Sequence, residues 1–416
     1  MFSNVISRIG YKIGLTPFNV HLLRGLKRPE WLYRNRKSIP FQPLYFAPVA
    51  AVTPEDVALC ERLIAAYRKA TGVERTGAVS EIWTTMLTRY GKLQKALDEG
   101  RPENLAQTLS TMFREAFLFG ISTADTYPGS QTRIGARIWS QRCLEDLVSL
   151  AEYVGAVRTE CLEQGELGWA FKDGAEALVA KIERAIGTPV NFPAIGAPYG
   201  IRIGDALITF ETPEHIYVAT RINEAINAYV EESRRGAPHI VEIGAGFGGT
   251  AHWLLKLRRD VASYTIIDLP LINVLQGYFL AKAFGAANVS LYGEEGDARR
   301  DATVAAGAAT GTFINVRPDH SLNSVGGAGV DVLVNENSMP EMPQHVVENY
   351  LAWAKRRVSG IFYSYNHEAY SPFDNVPQVL VPEVLAGVGG FKRLSRNYSW
   401  VRRGYVEEVY ARDHQD

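Results

Sequence analysis

The apolar residues of the chain follow a helical spacing in its first half and a strand spacing in its second. Through residues 51–190 they recur every three or four positions, as in ENLAQTLSTMFREAFLFG, where Leu105, Leu109 and Phe113 lie on one stripe. This spacing predicts helices. The following segment, 188–205, is rich in Pro and Gly and is interpreted as a linker.

Short apolar runs alternate with helical segments from His239 onward. The runs are HIVEI, YTIID, VSLY, VDVLVN and GIFYSY. This alternation predicts a parallel sheet built from βαβ units. Two further runs, FKRLSRNYSW and YVEEVYAR, flank a short connection with Gly404 and predict an antiparallel hairpin that closes the sheet. The long segment between Gly293 and Gly329 is interpreted as an insertion.

Together these patterns predict an α/β fold, with a Rossmann-like sheet that ends in a hairpin and an all-helical domain before it. The chain has 416 residues, 46% of them hydrophobic and 21% charged, which is enough for two globular domains. We expect an N-terminal arm over residues 1–50, a helical domain over 51–190 and an α/β domain over 191–416. The helical domain is interpreted as a lid or as the surface of a homodimer.

The balance of charges excludes a general attraction to polyanions. The formal net charge is -1, so nucleic acid is not an expected partner. The 3 cysteines, Cys60, Cys143 and Cys161, form no C-x-x-C pair and predict neither a disulfide framework nor a zinc site. No stretch approaches the ~20 consecutive apolar residues of a membrane span, so we expect a cytoplasmic protein.

The predicted N-terminal arm is distinctly basic. Its charged residues up to position 40 are Arg8, Lys12, Arg24, Lys27, Arg28, Arg34, Arg36 and Lys37, against the acid Glu30. Two interpretations remain open. The arm either makes a peripheral contact with an anionic membrane face or substrate carrier, or it is a solvated terminal segment.

A glycine-rich turn lies between the run HIVEI and a helical stripe. It contains Gly244, Gly246, Gly248 and Gly249, so that a strand, a glycine turn and a helix follow one another. Glycines let the chain reverse tightly and let backbone N–H groups approach a ligand at a helix N-terminus. Asp268 closes the next predicted strand, where an acid binds a ribose in nucleotide-type cofactor sites.

Two classes of cofactor fit this turn. The glycines satisfy the G-x-G-x-x-G pattern of NAD-binding proteins. S-adenosylmethionine is favoured by Glu242, because a carboxylate beside the turn suits a ligand with an ammonium and a sulfonium and repels a pyrophosphate. The closing hairpin also departs from an all-parallel dinucleotide sheet. An NAD-dependent oxidoreductase and a non-catalytic Rossmann-like scaffold remain as alternatives.

The motifs EIGAGFG and IIDLP resemble those of class I, Rossmann-like S-adenosylmethionine-dependent methyltransferases, over residues 200–416. The resemblance implies that the methionine part of the cofactor is lined by Glu242, Gly244, Ala245 and Gly246. It also implies that Asp268 accepts the ribose hydroxyls and that Leu269 packs against the adenine. Asp297, in the loop after the third predicted strand, would face the adenine amino group.

The segments NENSMPEM and SYNHEAY follow the fourth and fifth predicted strands. Ligands gather at the carboxyl ends of parallel strands, so we expect these segments to form the acceptor wall, with Asn335 on its cofactor side and Asn366 on its substrate side. Transfer to a hydroxyl requires removal of a proton, and His367 and Glu341 are the candidate bases. Each has a structural alternative, a loop hydrogen bond for His367 and a helix-entry carboxylate for Glu341. The carboxylates near His367 leave a divalent metal open.

The run GAPYGIRIGDALITFETPEHIYVATRI, the SMPEM segment and FYSYN resemble the sugar O-methyltransferases of bacterial polysaccharide and natural-product gene sets, over residues 80–410. This narrower resemblance implies that Tyr199 and Arg221 lie over the cofactor or the acceptor, and that the acceptor is a sugar hydroxyl. The alternatives are a core aromatic in a turn for Tyr199 and a salt bridge on its own helix for Arg221.

Overall fold

The structure is a computed structural model. It describes residues 27–28, 42–73, 81–118, 132–161, 163–164, 168–230, 237–294, 312–325, 329–369 and 378–413. The α-helices of these residues are α1 (Pro54–Thr71), α2 (Glu81–Leu87), α3 (Gly91–Glu99), α4 (Pro102–Leu109), α5 (Arg133–Tyr153), α6 (Ala175–Ile186), α7 (Thr212–Tyr229), α8 (Gly249–Leu257), α9 (Pro270–Phe284), α10 (Gln344–Arg357) and α11 (Val381–Val388). The strands are β1 (Leu44–Phe46), β2 (Tyr199–Ile203), β3 (Ala206–Ile208), β4 (His239–Ile243), β5 (Ser263–Asp268), β6 (Val289–Ser290), β7 (Phe313–Pro318), β8 (Val330–Glu336), β9 (Val358–His367), β10 (Phe391–Tyr398) and β11 (Tyr405–Arg412).

The chain divides into two compact units whose segments interleave. The first takes its described residues from 1–50, 111–217 and 400–403, and the second from 51–110, 218–399 and 404–416. Every regular element described in residues 51–190 is helical, as the apolar spacing predicted. Helices α1 to α4 belong to the same unit as the large sheet, whereas α5 and α6 belong to the other. The boundaries of these two units therefore differ from those of the predicted arm, helical domain and α/β domain, and the predicted domain boundaries stay a prediction.

The first unit contains a small antiparallel sheet with the order β1-β2-β3. Strand β2 lies inside the segment interpreted as a linker, so that interpretation is wrong for Tyr199–Ile203. The side chains of Ile201 and Ile203 are buried. Gly200 permits the close pairing, because an added Cβ would overlap the backbone carbonyl of Ile208 on β3. The glycine that marked the segment as a linker is in fact required by a strand contact.

Two basic residues of the N-terminal arm are described, and both pair with acids of helix α5. The Lys27 ammonium lies 3.0 Å from the carboxylate of Asp146. The Arg28 guanidinium is 6% exposed and lies 2.9 Å from Glu152. These charges are therefore neutralised inside the first unit, and the surface contact of the remaining basic residues stays a prediction. No described helix is long and apolar enough to cross a membrane.

The second unit is built on an 8-stranded sheet with the order β10-β11-β9-β8-β4-β5-β7-β6. Strand β11 runs antiparallel to both β9 and β10, and the other pairs are parallel. The predicted Rossmann-like sheet with a closing antiparallel hairpin is thus confirmed. The carboxyl ends of β4, β5, β7, β8 and β9 meet at one edge, where the candidate site lies.

Strand β7 lies within the segment 293–329 that the sequence pattern assigned to an insertion. It pairs with β5 on one side and with β6 on the other. Its apolar side chains Ile314 and Val316 are buried, but they alternate with partly exposed residues. This alternation covers only six residues and follows a stretch rich in Ala, Gly and Thr, so its signal was too weak to predict the strand.

Helix α1 packs against helix α9, beside the sheet. Thr53 caps α1, since its hydroxyl accepts from the Asp56 N–H while the Asp56 carboxylate accepts from the Thr53 N–H. The other Asp56 oxygen accepts from the Lys282 ammonium of α9 at 2.6 Å. Gly277 leaves room for the contact, because an added Cβ there would lie 2.7 Å from Leu63 of α1.

Candidate functional site

The predicted glycine turn is a tight loop between β4 and α8. Gly244, Gly246 and Gly248 have φ values of +70°, +56° and +96°, which favour glycine. The loop residues 245, 247 and 248 are buried, whereas Gly244 and Gly246 are partly exposed. The loop therefore opens to solvent at its glycine backbone, immediately before the N-terminus of α8.

Gly244 is also fixed by its neighbour across the site. A Cβ added at Gly244 would overlap both Oγ and Cβ of Ser338, which follows strand β8. The Ser338 hydroxyl donates to the Ile243 carbonyl at 3.0 Å. The turn after β8 thus packs directly on the glycine loop and leaves no space for a side chain at position 244.

Asp268 ends strand β5 beside this loop, as predicted. Its Oδ1 accepts from the Leu269 N–H at 2.8 Å, and its Oδ2 accepts from the Gln276 side-chain amide at 2.7 Å. Burial raises the pKa of Asp268 to about 7, although these donors and the Ala245 N–H favour the ionised form. Asp268 and Leu269 are both partly exposed, so each is open to a ligand.

Gln276 of helix α9 joins the two parts of this edge. Its Nε2 donates to Asp268 and also to the Gly246 carbonyl at 2.9 Å, and the residue is fully buried. Gln276 was not predicted from the sequence, because no motif contains it. The available signal was a polar residue inside a helix whose buried positions are otherwise mostly apolar.

Glu242 lies beneath the loop and is 1% exposed. Its Oε2 accepts from the Tyr264 hydroxyl at 2.8 Å. Burial raises the pKa of Glu242 to about 8, the Tyr264 hydrogen bond opposes this rise, and the neighbouring Asp268 adds to it. Glu242 thus lies within electrostatic range of Asp268. A contact between Glu242 and a cofactor stays a prediction.

The pKa of Glu242 predicts a pH dependence of stability. Between its ordinary pKa of 4.5 and about 8, the folded protein holds a proton that the unfolded chain has lost. The free energy of unfolding should therefore fall as pH rises, with a slope from this group approaching roughly 1.4 kcal/mol per pH unit. In Glu242→Gln, the free energy of unfolding measured with urea should fall less with pH over this range than in wild type. The same pH dependence in both proteins would contradict the raised pKa of Glu242.

The edge beyond Asp268 is formed by the residues that follow β7. Asp319 lies close enough to Asp268 to raise its pKa. Beside it, the His320 ring packs edge-on against Tyr292, with centroids 5.4 Å apart, and both of its ring nitrogens are buried without hydrogen-bond partners. Asp297, predicted to face an adenine, lies outside the described residues. Because β7 is the neighbour of β5 in the sheet, Asp319 and His320 are the residues next to Asp268.

A chain of side-chain amides connects β4, β8 and β9. The Asn335 Nδ2 donates to the Ile243 carbonyl at 2.8 Å, and the Asn335 Oδ1 accepts from the Asn366 Nδ2 at 3.0 Å. A carbonyl only accepts, so it fixes the orientation of Asn335 and, through it, that of Asn366. The Asn366 Oδ1 is left buried without a hydrogen-bond partner. The structure thus brings these two predicted residues together.

The candidate bases lie at the same edge but on different segments. His367 ends β9, is partly exposed, and packs edge-on against Tyr405 with centroids 5.7 Å apart. Its Nδ1 accepts from the Ala369 N–H at 3.3 Å, so the neutral ring that keeps this contact carries its proton on Nε2. Glu341 lies in a short 3-10 turn, Met339–Glu341, and is partly exposed.

Tyr90 was missed by the sequence analysis. It lies in the short 3-10 helix Thr88–Tyr90, is fully buried, and burial raises its pKa, with Asp268 and Glu341 adding to the rise. Its phenol is therefore within electrostatic range of both carboxylates. No motif marks the residue, because its neighbours are distant in sequence.

The turn after β8 carries two further polar residues. Asn337 has a φ of +58°, a strained value for a residue with a side chain, and its Oδ1 is buried without a hydrogen-bond partner. The Glu336 carboxylate accepts a hydrogen bond from the Thr250 hydroxyl at the start of α8. Strained backbone and orphaned acceptors of this kind cluster at ligand sites.

The other two predicted substrate residues have structural partners. Tyr199 belongs to the first unit, is 5% exposed, and stacks on Phe46 with centroids 5.6 Å apart. Arg221 belongs to the second unit, where its Nη2 lies 2.5 Å from the buried carboxylate of Glu407. Tyr199 is a core aromatic, but it lies in strand β2 and not in a turn, and the helix salt bridge of Arg221 is its second contact, with Glu224 at 2.5 Å. A contact of either residue with a ligand stays a prediction. Among the described residues, no group of three or more His, Cys, Asp or Glu side chains could hold a metal ion.

Comparisons with known proteins give matches to solved structures only. No protein-family model matches the chain, and no curated protein is significantly similar. The mitomycin 7-O-methyltransferase MmcR is 12% identical, with 86% of this chain and 94% of that chain covered and a TM-score of 0.33. The magnesium protoporphyrin IX methyltransferase ChlM from Synechocystis PCC 6803, with bound SAH, is 11% identical over 50% of this chain and 90% of that chain, with a TM-score of 0.30.

The protein EvdMO1 is 15% identical over 51% of this chain, with a TM-score of 0.31. The match covers 44% of EvdMO1, which is less than half of its length. The solved structures that the chain resembles are mostly methyltransferases. Similarity at this level transfers no function, and the fold assignment rests on the strand order of the large sheet.

Proposed function

We propose that the second unit binds S-adenosylmethionine and transfers its methyl group to a hydroxyl. The observation that carries this proposal is the gathering of acids around the glycine loop. Glu242 lies beneath it, Asp268 and Asp319 lie beside it, and Glu336 bonds to the first turn of the following helix. A ligand with an ammonium and a sulfonium would favour the ionised forms of Glu242 and Asp268, whose pKa values burial raises, whereas the pyrophosphate of a dinucleotide would keep both groups protonated and gain no attraction from them.

The residues present fit this cofactor. The glycine loop admits a ligand close to its backbone at Gly244 and Gly246, which are partly exposed. Asp268 offers a carboxylate to the ribose hydroxyls, and Leu269 offers an apolar side chain to the adenine. When bound, the cofactor supplies an electrophilic methyl group on a sulfonium.

The acceptor would lie at the carboxyl ends of β8 and β9. There the orphaned Oδ1 of Asn366 is oriented by Asn335 and can accept a hydrogen bond from a hydroxyl once the ligand opens access to it. A cofactor bound here would supply the methyl group and leave as S-adenosylhomocysteine, and His367 or Glu341 would take the proton that the acceptor oxygen loses. His367 can act at Nε2 only in the tautomer that gives up the Ala369 contact.

A sugar hydroxyl is the acceptor that the sequence resemblance supports. The test is incubation of the full chain with cofactor labelled in its methyl group and with a panel of sugar nucleotides and glycosides. Label transferred to one of these acceptors supports the proposal. Transfer to an amine or carboxylate acceptor instead would retain the cofactor assignment and overturn the hydroxyl.

His367→Ala is expected to lower turnover roughly 100-fold while leaving the affinity for S-adenosylhomocysteine unchanged, because a general base contributes to the chemical step and not to cofactor binding. Steady-state kinetics and calorimetry measure the two quantities separately. Unchanged turnover would remove His367 from the mechanism.

Glu341→Gln is the matched variant for the second candidate base. If turnover falls in this variant and not in His367→Ala, the base is Glu341. A fall in both, with normal cofactor affinity, indicates that the two residues act on the same proton.

A further inference from the structure

Gln276 is a fully buried amide in the middle of helix α9. A buried amide costs free energy unless its donors and acceptor are satisfied. All of them are satisfied here, since its Nε2 donates to Asp268 and to Gly246 while its Oε1 accepts from the Asn273 Nδ2 at 2.9 Å. The residue is thus held by partners on the glycine loop, on β5 and on its own helix.

The partners of Gln276 also fix which end of its amide faces the site. The Gly246 carbonyl and the ionised Asp268 carboxylate can only accept, so both contacts require the NH₂ group. Since the carbonyl and the following N–H lie on opposite sides of a trans peptide plane, holding the Gly246 carbonyl also sets the direction of the Phe247 N–H. One nitrogen therefore orients the carboxylate on β5 and a peptide group of the glycine loop.

We propose that Gln276 is a positioning residue, which holds the ribose-binding carboxylate of Asp268 and the glycine loop in fixed relation for an adenosyl cofactor. This inference rests on the proposed function. Gln276 itself does not contact the ligand. It acts through Asp268 and Gly246, so that the cofactor meets both groups already in place and less ordering is required on binding.

The charges around Asp268 explain why a donor is needed there. Asp319 from the segment after β7 raises the pKa of Asp268, Glu242 of β4 is within electrostatic range, and so is the Tyr90 phenol. Against them stand the N–H groups of Leu269 and Ala245 and the amide of Gln276. Without Gln276 the carboxylate would lose one of its donors and would ionise at a higher pH.

Gln276→Leu tests the inference. We expect affinity for S-adenosylhomocysteine to fall about 10- to 100-fold near pH 7, because a hydrogen bond to a charged group is lost. The KM for the cofactor should rise with little change in kcat at saturation. The pH profile of binding, measured by calorimetry between about pH 6 and 9, should move to higher pH than in wild type. Wild-type affinity and an unshifted profile would overturn the inference.

Two further variants separate positioning from packing. Leu275→Ala, at a buried neighbour on the same helix, should lower stability without moving the pH profile. Gln276→Glu keeps the shape of the side chain, but its carboxyl offers one donor when protonated and none when ionised, where the amide offers two. It should therefore bind more weakly than wild type in either state, even where Gln276→Leu fails to fold. If wild type itself does not bind S-adenosylhomocysteine, the proposed function fails. If wild type binds and these variants match it, only the role of Gln276 fails.

Discussion

Replacing Asp268 with alanine is expected to weaken the binding of S-adenosylhomocysteine by at least about 100-fold, because two ribose hydroxyls would lose a charged acceptor. The fold should survive, since Asp268 carries a raised pKa and its ionised form is therefore disfavoured by burial. Calorimetric titration gives the affinity, and urea unfolding gives the stability. The expected result is lost binding in a protein that stays folded, with a modest loss of stability because the buried Gln276 amide loses one of its two acceptors.

Asp268→Asn is the matched control for this variant. It preserves the size of the side chain but replaces one acceptor oxygen with a donor, which then faces the Gln276 amide. Affinity should fall nearly as far as in the alanine variant. Near-wild-type affinity in both variants would contradict the assignment of Asp268 to the ribose.

Gly244→Ala is expected to lower both stability and cofactor binding. Alanine at a φ of +70° costs roughly 1–2 kcal/mol, and its Cβ would also overlap Ser338. The loop or the turn after β8 must then move, so the free energy of unfolding should fall by about 3 kcal/mol or more. Residual folded protein should bind the cofactor weakly.

Gly404→Ala separates the two costs. Gly404 has a φ of +87°, but an added Cβ there would have no atom within 4 Å. It should therefore show the backbone cost alone, roughly 1–2 kcal/mol, with normal cofactor affinity. Equal losses in the two variants would contradict the close packing of Ser338 on the glycine loop.

The strongest sequence signals were those set by local backbone requirements. The glycine loop, Asp268 and the hairpin β10–β11 lie where the sequence predicted them, because positive φ values, strand ends and tight turns leave marks in short stretches of sequence. Strand β7 left no comparable mark, since its buried residues Ile314, Val316 and Pro318 alternate with partly exposed ones over only six positions.

Residues that act across the fold could not be predicted in this way. Gln276 lies on helix α9 and donates to the Gly246 carbonyl of the glycine loop. Tyr90 lies in a short 3-10 helix that is distant in sequence from Asp268 and Glu341, yet it is within electrostatic range of both. The small sheet of the first unit pairs residues near position 45 with residues near 200. Such contacts depend on tertiary packing, which no periodicity of a single segment contains.

Acids around the glycine loop also separate the proposed cofactor from its rival. The Gly244, Gly246 and Gly249 spacing alone would admit NAD. What argues against a dinucleotide is that its pyrophosphate would oppose the ionisation of Asp268 and of the buried Glu242 beneath the loop, whereas a cationic cofactor would favour it. The distinction is therefore electrostatic, and it can be measured with the two ligands on one protein.

The most direct test is a thermal unfolding series of the full chain with S-adenosylhomocysteine and, in parallel, with NAD. A ligand that binds only the folded state raises the melting temperature, and the rise grows with the logarithm of the ligand concentration above its Kd. We expect S-adenosylhomocysteine to raise the melting temperature and NAD to leave it unchanged. Stabilisation by NAD alone, or by neither ligand, would contradict the assignment of this site to S-adenosylmethionine.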